Sequence, residues 1–283
     1  MSHTRRVSFS IATTTESACT LPNFESASEV WRDNAGVICA RGILSGAYAW
    51  LEFPGTAVFH FDRARRAVIA MPEPSVEDGL LYDNYYRAAL PLALQYFGVE
   101  VLHASAVRTR LGVVAFCAVS ETGKSTAVAV LSRRGYPLWA DDAVPIEIDE
   151  GTRDARALAV PFRLRLDAAL SPAFRDPDRS FRWPEPERLD LASAPLAALC
   201  VMQRVDSSQT AEICRLSAID AVTALLPHSY CFSLMEADRK RLMMRCYIEL
   251  AARVPTFAVS IATGLERLPA ALDQIERTIP GFT

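Results

Sequence analysis

The chain has 283 residues, of which 51% are hydrophobic and 22% are charged, as in an ordinary globular protein that can bury a sizeable core. Its 30 basic and 33 acidic residues give a formal net charge of −3. No broad positive surface is expected, so the charge balance predicts neither a nucleic acid nor a membrane as a partner. The seven cysteines include no CxxC pair and no short spacing to a histidine, which argues against a structural zinc site.

The first residues contain two arginines followed by a polar, threonine-rich run where a secretory signal would need an apolar stretch. No apolar run reaches the ~18 residues that a membrane-spanning helix needs. An odd number of scattered cysteines is typical of a reducing compartment. These features predict a cytoplasmic protein.

Short aromatic or alternating runs at 36–40, 47–53 and 56–61 predict strands in the first part of the chain. The segment 71–79 contains two prolines and three acids, which interrupt this pattern. We therefore predict a small β-rich domain at 1–80 and a second domain at 81–283.

The second domain begins with apolar residues at helical spacing over 81–98, and Gly98 is expected to end that helix. Runs at 99–107 and 112–119 predict two strands, and the second leads directly into a loop and a helix. Another strand is expected at 137–140. This order predicts an α/β fold with a mixed sheet flanked by helices.

The remainder of the chain is less regular. Residues 151–186 are rich in Arg, Asp and Pro and predict surface loops with one short helix at 167–169. Beyond them, strands are expected at 196–204 and 211–216, and helices at 218–226, 237–253 and 265–277.

The loop between the strand at 112–119 and the following helix has the sequence AVSETGKST, which is close to the phosphate-binding pattern GxxxxGK[ST]. In that pattern backbone N–H groups surround phosphate oxygens, the lysine neutralises the outer phosphates and the hydroxyl binds Mg²⁺. The alternative is an ordinary Gly-Lys turn at a helix N-terminus. The predicted nucleotide-binding residues are Ala118, Val119, Ser120, Glu121, Thr122, Gly123, Lys124, Ser125 and Thr126.

Asp141 and Asp142 end the apolar run at 137–140, where a nucleotide-binding sheet presents an acidic metal ligand or base. Taken alone, such a pair is as often a solvated turn or a helix cap. His103 lies inside the apolar run VLHASAV, where a histidine is more often a core residue than a catalytic one.

The segments LHASAV, GKS and RGYPLWADD together resemble, in sequence and spacing, the C-terminal catalytic domain of HPr kinase/phosphorylase, which phosphorylates a serine of a carrier protein. The resemblance covers residues 99–148. It implies a P-loop kinase fold, ATP and Mg²⁺ as cofactors, Lys124 on the β- and γ-phosphates and Ser125 on Mg²⁺. It further implies that Asp141 is the base, that Asp142 assists or binds the metal, and that His103 orients Asp141.

The chain departs from the family at Ala118 and Thr126, where the family has Gly and Glu, and its first 80 residues differ from the family's N-terminal domain. These departures resemble the divergent kinases that phosphorylate a serine of lasso peptides. The resemblance implies a peptide or protein serine as acceptor, a homo-oligomer, and a role of the N-terminal domain in recognising the peptide.

The leading hypothesis is therefore an ATP-dependent serine kinase. A nucleotide-binding regulator without catalysis and a phosphatase or phosphorylase using the same site are the alternatives. The arginines considered as additional phosphate ligands are Arg163, Arg165, Arg239 and Arg241.

Overall fold

The structure is a computed structural model that describes residues 8–13, 20–33, 35–45, 48–149, 154–162, 189–190, 192–206, 210–233 and 236–282. Contacts between residues divide the chain into two compact units. The first unit contains Met1–Val99, Trp183–Leu191 and Cys231–Glu236, and the second contains Glu100–Arg182, Ala192–Tyr230 and Ala237–Thr283. Within the described ranges, no helix is both long enough and apolar enough to cross a bilayer.

A seven-stranded sheet forms the centre of the first unit, in the order β13-β1-β6-β5-β4-β3-β2. Strand β1 pairs in parallel with β6, and the other neighbours are antiparallel. The strands are β1 (Ser8–Thr13), β2 (Glu29–Arg32), β3 (Ile38–Ser45), β4 (Tyr48–Phe53), β5 (Ala57–Asp62), β6 (Ala67–Pro72) and β13 (Leu189–Asp190).

A helical segment packs on one face of this sheet. It consists of α1 (Asp78–Asn84), a π-helical turn at Tyr85–Ala89 and α2 (Leu90–Tyr96), and Gly98 follows with φ +94°. The rings of Phe59 and Phe61 lie 6.1 and 6.4 Å from those of Tyr85 and Tyr96. The predicted helix is confirmed, and its apolar stripe covers the sheet of the first unit.

The predicted domain boundary near residue 80 lies in the first turn of this helical segment, whereas the contacts divide the chain after Val99. The contacts also place Trp183–Leu191 and Cys231–Glu236 with the first unit, whereas the prediction places them in the second domain. The division at 1–80 and 81–283 stays a prediction.

The second unit is mixed α/β. Its sheet has the order β10-β8-β9-β14-β12-β11-β7, and β16 pairs with both β14 and β15. The strands are β7 (Glu100–Leu102), β8 (Ala104–Arg108), β9 (Val113–Cys117), β10 (Leu138–Ala140), β11 (Val144–Ile148), β12 (Ala155–Leu158), β14 (Ser193–Val205), β15 (Ala211–Arg215) and β16 (Thr256–Ala262).

Three parallel strands, β9, β14 and β16, lie side by side in this sheet. All five residues of β9 are buried, as expected for a strand covered on both faces. Because the strands are parallel, their carboxyl ends lie at the same edge of the sheet. A loop that follows β9 therefore lies beside the last residues of β14 and β16.

Helices α3 (Lys124–Arg133) and α6 (Leu268–Thr278) pack together against these parallel strands, with Leu131 and Ile275 in the shared core. Two further helices among the described residues are α4 (Ala218–Leu225) and α5 (Ala237–Arg253). The predicted helix near 167–169 lies outside the described residues. The predicted strand at 99–107 is two strands, because the chain leaves the pairing of β7 with β11 and joins β9 through β8.

Candidate active site

The loop Ala118–Gly123 connects the buried strand β9 to the first residue of α3. Two of its residues have positive φ, Glu121 at +67° and Gly123 at +103°. Ala118 is fully buried and is not among the residues with positive φ, so the methyl group that replaces the glycine of the motif causes no backbone strain. The loop is therefore compatible with the phosphate-binding pattern despite its altered first residue.

Lys124 begins α3 and is only 5% exposed. Its Nζ donates to the carbonyl oxygens of Ala118 at 2.9 Å and Val119 at 3.4 Å. Burial lowers the pKa of the Lys124 amine, and the nearby Asp142 carboxylate partly opposes this shift. The sequence contains two lysines, and the other, Lys240, is exposed on α5. Arginine thus supplies nearly all the positive charge of the chain, and one of its two lysines is buried directly after this loop.

Asp141 follows β10 and accepts two hydrogen bonds on one carboxylate oxygen. Ser125 Oγ donates to Asp141 Oδ1 at 2.8 Å, and Ser105 Oγ donates to the same atom at 2.6 Å. Ser105 is fully buried in β8, and Asp141 is 4% exposed. Strand β8 pairs antiparallel with both β10 and β9, so Asp141 after β10 and Ser125 after β9 lie at the same edge of the sheet.

Asp142 has a different environment from its neighbour. Its backbone has φ +64°, a left-handed conformation that Asp tolerates better than most residues and that is frequent at functional sites. His103 Nε2 lies 3.9 Å from Asp142 Oδ1, and both side chains are partly exposed. His103 lies between β7 and β8, where the change of strand pairing brings its ring to this side of the sheet.

The segment 228–230 forms the wall of the site next to β7. His103 N donates to the His228 carbonyl at 2.6 Å, and Tyr230 N donates to the Val101 carbonyl at 2.8 Å. Tyr230 Oη donates to the backbone carbonyl of Asp142 at 3.3 Å. His228 is buried, and burial together with the nearby Lys124 ammonium lowers its pKa. The wall thus fixes the backbone at both His103 and Asp142.

The structure brings all the predicted catalytic residues to one edge of the second unit. In the loop, Thr122 is buried, whereas Val119, Ser120 and Glu121 are exposed. Thr126 is partly buried in the first turn of α3. His103 lies 3.9 Å from Asp142, and its predicted role in orienting Asp141 stays a prediction. The catalytic and binding roles of these residues remain predictions.

Two of the additional arginines considered from the sequence pair with acidic side chains outside the loop. Arg239 pairs with the buried Glu100 at 2.5 Å, and Arg241 pairs with Asp238 on the same helix. Arg163 and Arg165 lie outside the described residues. Arg204, the last-but-one residue of β14, contacts the loop instead: its Nε donates to the Thr122 carbonyl at 2.8 Å.

The sequence patterns did not indicate Ser105 or Arg204 as site residues. Ser105 was visible, because it is two residues after His103 and therefore on the same face of an extended segment. Arg204 could have been found only with the strand order, which places the end of β14 beside the end of β9.

Two side chains at the loop carry oxygen atoms that are suitable ligands for Mg²⁺. Ser125 and Asp141 offer a hydroxyl and a carboxylate, the hard oxygen ligands that Mg²⁺ uses together with water and phosphate. Mg²⁺ does not need a cage of protein ligands, and among the described residues no group of three or more His, Cys, Asp or Glu side chains could hold a metal. The residues present therefore fit a metal ion that binds together with a phosphate ligand.

The sequence matches no protein-family model and no curated protein. Among solved structures, the chain is similar to the Hpr(Ser) kinase/phosphatase from Coxiella burnetii, with a TM-score of 0.34 and 11% sequence identity. The similar region covers 62% of this chain and 88% of that chain. At this level of similarity the comparison carries no argument about this chain.

Proposed function

We propose that the second unit binds ATP with Mg²⁺ at the loop Ala118–Gly123 and transfers its terminal phosphoryl group to a hydroxyl. The observation that carries this proposal is the hydrogen bond from Ser125 to Asp141. Ser125 directly follows the buried Lys124 in the chain. In nucleotide-binding loops a Ser or Thr and a nearby Asp together hold Mg²⁺, while the lysine neutralises the phosphates. The bond joins two residues that are 16 positions apart in the chain.

The two acids take different roles in this proposal. Asp141 is buried and already accepts two hydroxyl hydrogen bonds, which suits a carboxylate on the metal side of the site. Asp142 is more exposed and lies near His103, which suits a base that must reach an incoming acceptor. We therefore assign the base to Asp142, although the family resemblance implies Asp141.

The proposed reaction removes the proton of the acceptor hydroxyl and breaks the bond between the β,γ-bridging oxygen and the γ-phosphorus. Asp142 accepts the proton, and the acceptor oxygen forms the new bond to phosphorus. The electron pair of the broken bond remains on ADP, next to Lys124. The metal supplies neutralisation of charge on the phosphate oxygens. In this scheme His103 orients the Asp142 carboxylate.

We propose a serine of a peptide or protein as the acceptor, as the sequence resemblance implies. A peptide can bind a sheet by adding a strand to its edge. In the described sheet of the first unit, β2 is the last strand in the order and pairs only with β3. This strand is our candidate for peptide recognition.

The first test is Mg²⁺-dependent binding of ATP, measured by calorimetry. The intact protein is compared with Lys124→Ala and with Lys240→Ala, which removes the other lysine of the chain from an exposed position. We expect Lys124→Ala to weaken binding by about a hundredfold, because a charge-assisted contact to phosphate is lost. Lys240→Ala should bind as the intact protein does. Intact protein that binds no ATP would overturn the proposal.

The second test separates a kinase from the two alternative functions. The protein is incubated with ATP and a peptide library that has serine at one fixed position, or alanine in the control library. A kinase makes ADP only with the serine library. ATP that is bound and remains unchanged with every library indicates a regulator. A third library carries phosphoserine at the fixed position, and release of phosphate from it indicates a phosphatase.

A further inference from the structure

Arg204 connects three segments at the carboxyl edge of the parallel strands. Its Nε donates to the Thr122 carbonyl of the loop at 2.8 Å, and its Nη1 donates to the Ala262 carbonyl at the end of β16 at 3.2 Å. The side chain is partly buried. A guanidinium has its donors in a rigid plane, so two bonds to carbonyls of different segments fix their relative positions.

The same side chain covers Gly123. A Cβ built on Gly123 would lie 2.7 Å from Arg204 Nη2, which is closer than any ordinary contact. The glycine also has φ +103°, which L side chains rarely adopt. The backbone turn thus favours glycine at this position, and the guanidinium lies close against it.

These contacts act on the backbone of the loop. A carbonyl held by Arg204 cannot turn toward the side of the loop where phosphate oxygens would bind. Since the peptide unit is planar, fixing the Thr122 carbonyl also fixes the direction of the Gly123 N–H. Ordering a loop before the ligand binds removes an entropic cost from binding.

We infer that Arg204 is a positioning residue that holds the loop Ala118–Gly123 in its anion-binding conformation and thereby sets its affinity for a nucleotide phosphate chain. The nucleotide part of this inference rests on the proposed function, whereas the ordering of the loop does not. Arg204 acts through the Thr122 carbonyl and Gly123 rather than on the reacting atoms.

The first experiment measures amide hydrogen exchange of the loop without nucleotide. The variants are Arg204→Met, which keeps the apolar stem, and Arg215→Met, a matched control. Arg215 is exposed and pairs with Phe257 at the start of β16, far along the strand from Ala262. Exchange over 118–124 should become faster in Arg204→Met only. Unchanged exchange in that variant would overturn the inference, whether or not the protein binds nucleotide.

The second experiment measures the KM for ATP and kcat, with ATP affinity measured by calorimetry. Arg204→Met should weaken ATP affinity about tenfold to hundredfold, since two hydrogen bonds from a charged donor are lost, while kcat changes much less. Arg204→Lys should restore part of the affinity, because an ammonium can keep one of the two bonds. An equal loss of kcat with KM unchanged would contradict a positioning role.

The third experiment combines Arg204→Met with Gly123→Ala. If the two residues act through one another, the double variant binds ATP better than the product of the two single losses predicts. Full affinity in Arg204→Met together with lost affinity in Lys124→Ala would disprove the role of Arg204 and leave the proposed function intact. Full affinity in both variants would instead disprove the proposed function.

Discussion

Asp141 and Asp142 are consecutive residues with the same side chain, yet their surroundings differ. Asp141 is buried and accepts hydrogen bonds from hydroxyls of β8 and α3. Asp142 is partly exposed, has a left-handed backbone, and faces His103. Because successive side chains at the end of a strand leave the backbone on different sides, a pair of acids can serve two parts of one site.

The difference supports the proposed division of roles between the two acids. The environment of Asp141 is fixed, since one oxygen is held by two donors and the side chain can hardly move. The environment of Asp142 is constrained through its backbone, to which Tyr230 donates, while the carboxylate remains accessible. A metal ligand needs the first arrangement, and a base that meets a variable acceptor needs the second.

The largest expected effect is that of Asp142→Asn. Asparagine also tolerates positive φ, so the backbone is kept while the base is lost. We expect kcat to fall about 10²- to 10⁴-fold, with ATP affinity almost unchanged. Steady-state kinetics and calorimetry measure the two quantities, and Asp154→Asn, at an exposed position, is the control. A loss of ATP affinity equal to the loss of kcat would contradict the division between the two acids.

Asp141→Asn should mainly change the dependence of ATP binding on Mg²⁺. The amide keeps an acceptor for Ser105 and Ser125 but loses the negative charge that attracts the metal. We expect the apparent affinity for Mg²⁺ in the presence of ATP to fall about 10- to 100-fold. ATP binding without metal should stay the same or improve. Equal weakening with and without Mg²⁺ would place Asp141 outside the metal site.

Ser105→Ala should have a smaller effect of the same kind. The variant removes one of the two donors to Asp141 in a fully buried position, which costs about 1–3 kcal/mol of unfolding free energy. The affinity for Mg²⁺ with ATP should fall several-fold. Ser260→Ala removes a hydroxyl that bonds Gln203 on the same sheet, and it should leave metal affinity unchanged. An equal change of metal affinity in both variants would refute the role of Ser105.

Much of the second unit could be predicted from local sequence patterns. The strand, loop and helix around residues 112–133 were predicted because an apolar run, a glycine turn and a helical run follow each other directly. The helix Ala237–Arg253 agrees with its prediction at both ends, since Pro255 limits its extension. In both cases the sequence pattern that predicts the structure extends over no more than about 25 residues.

The contacts between distant segments could not be predicted. The proximity of His103 to Asp142 depends on the turn after β10, which gives Asp142 a positive φ. Likewise, Arg204 contacts the loop only because β14 lies between β9 and β16. Such facts depend on strand order and on one backbone dihedral angle, neither of which leaves a periodic signal in the sequence.

The smallest expected effect concerns His228, which lies on the Lys124 side of the site. Burial and the nearby Lys124 lower the pKa of His228 below 6.5, so its imidazole binds a proton less readily in the folded protein than in the unfolded chain. Above pH 6.5 the histidine is mostly neutral and does not lower the free energy of unfolding. As the pH drops below 6.5, protonation favours the unfolded chain, and the free energy of unfolding falls. His60, buried in the first unit, has a pKa lowered by burial and should add to the same loss.

His228→Asn should therefore flatten the decrease of stability between pH 6.5 and 5 relative to the intact protein. Thermal unfolding followed by calorimetry across this range measures the decrease. His60→Phe is the matched variant, since it keeps a ring beside Trp50, and it should flatten the decrease as well while leaving ATP affinity unchanged. If the pH dependence of stability is the same in His228→Asn as in the intact protein, His228 is not held neutral in the folded protein. The protonation state of the imidazole next to Lys124 must then be assigned differently.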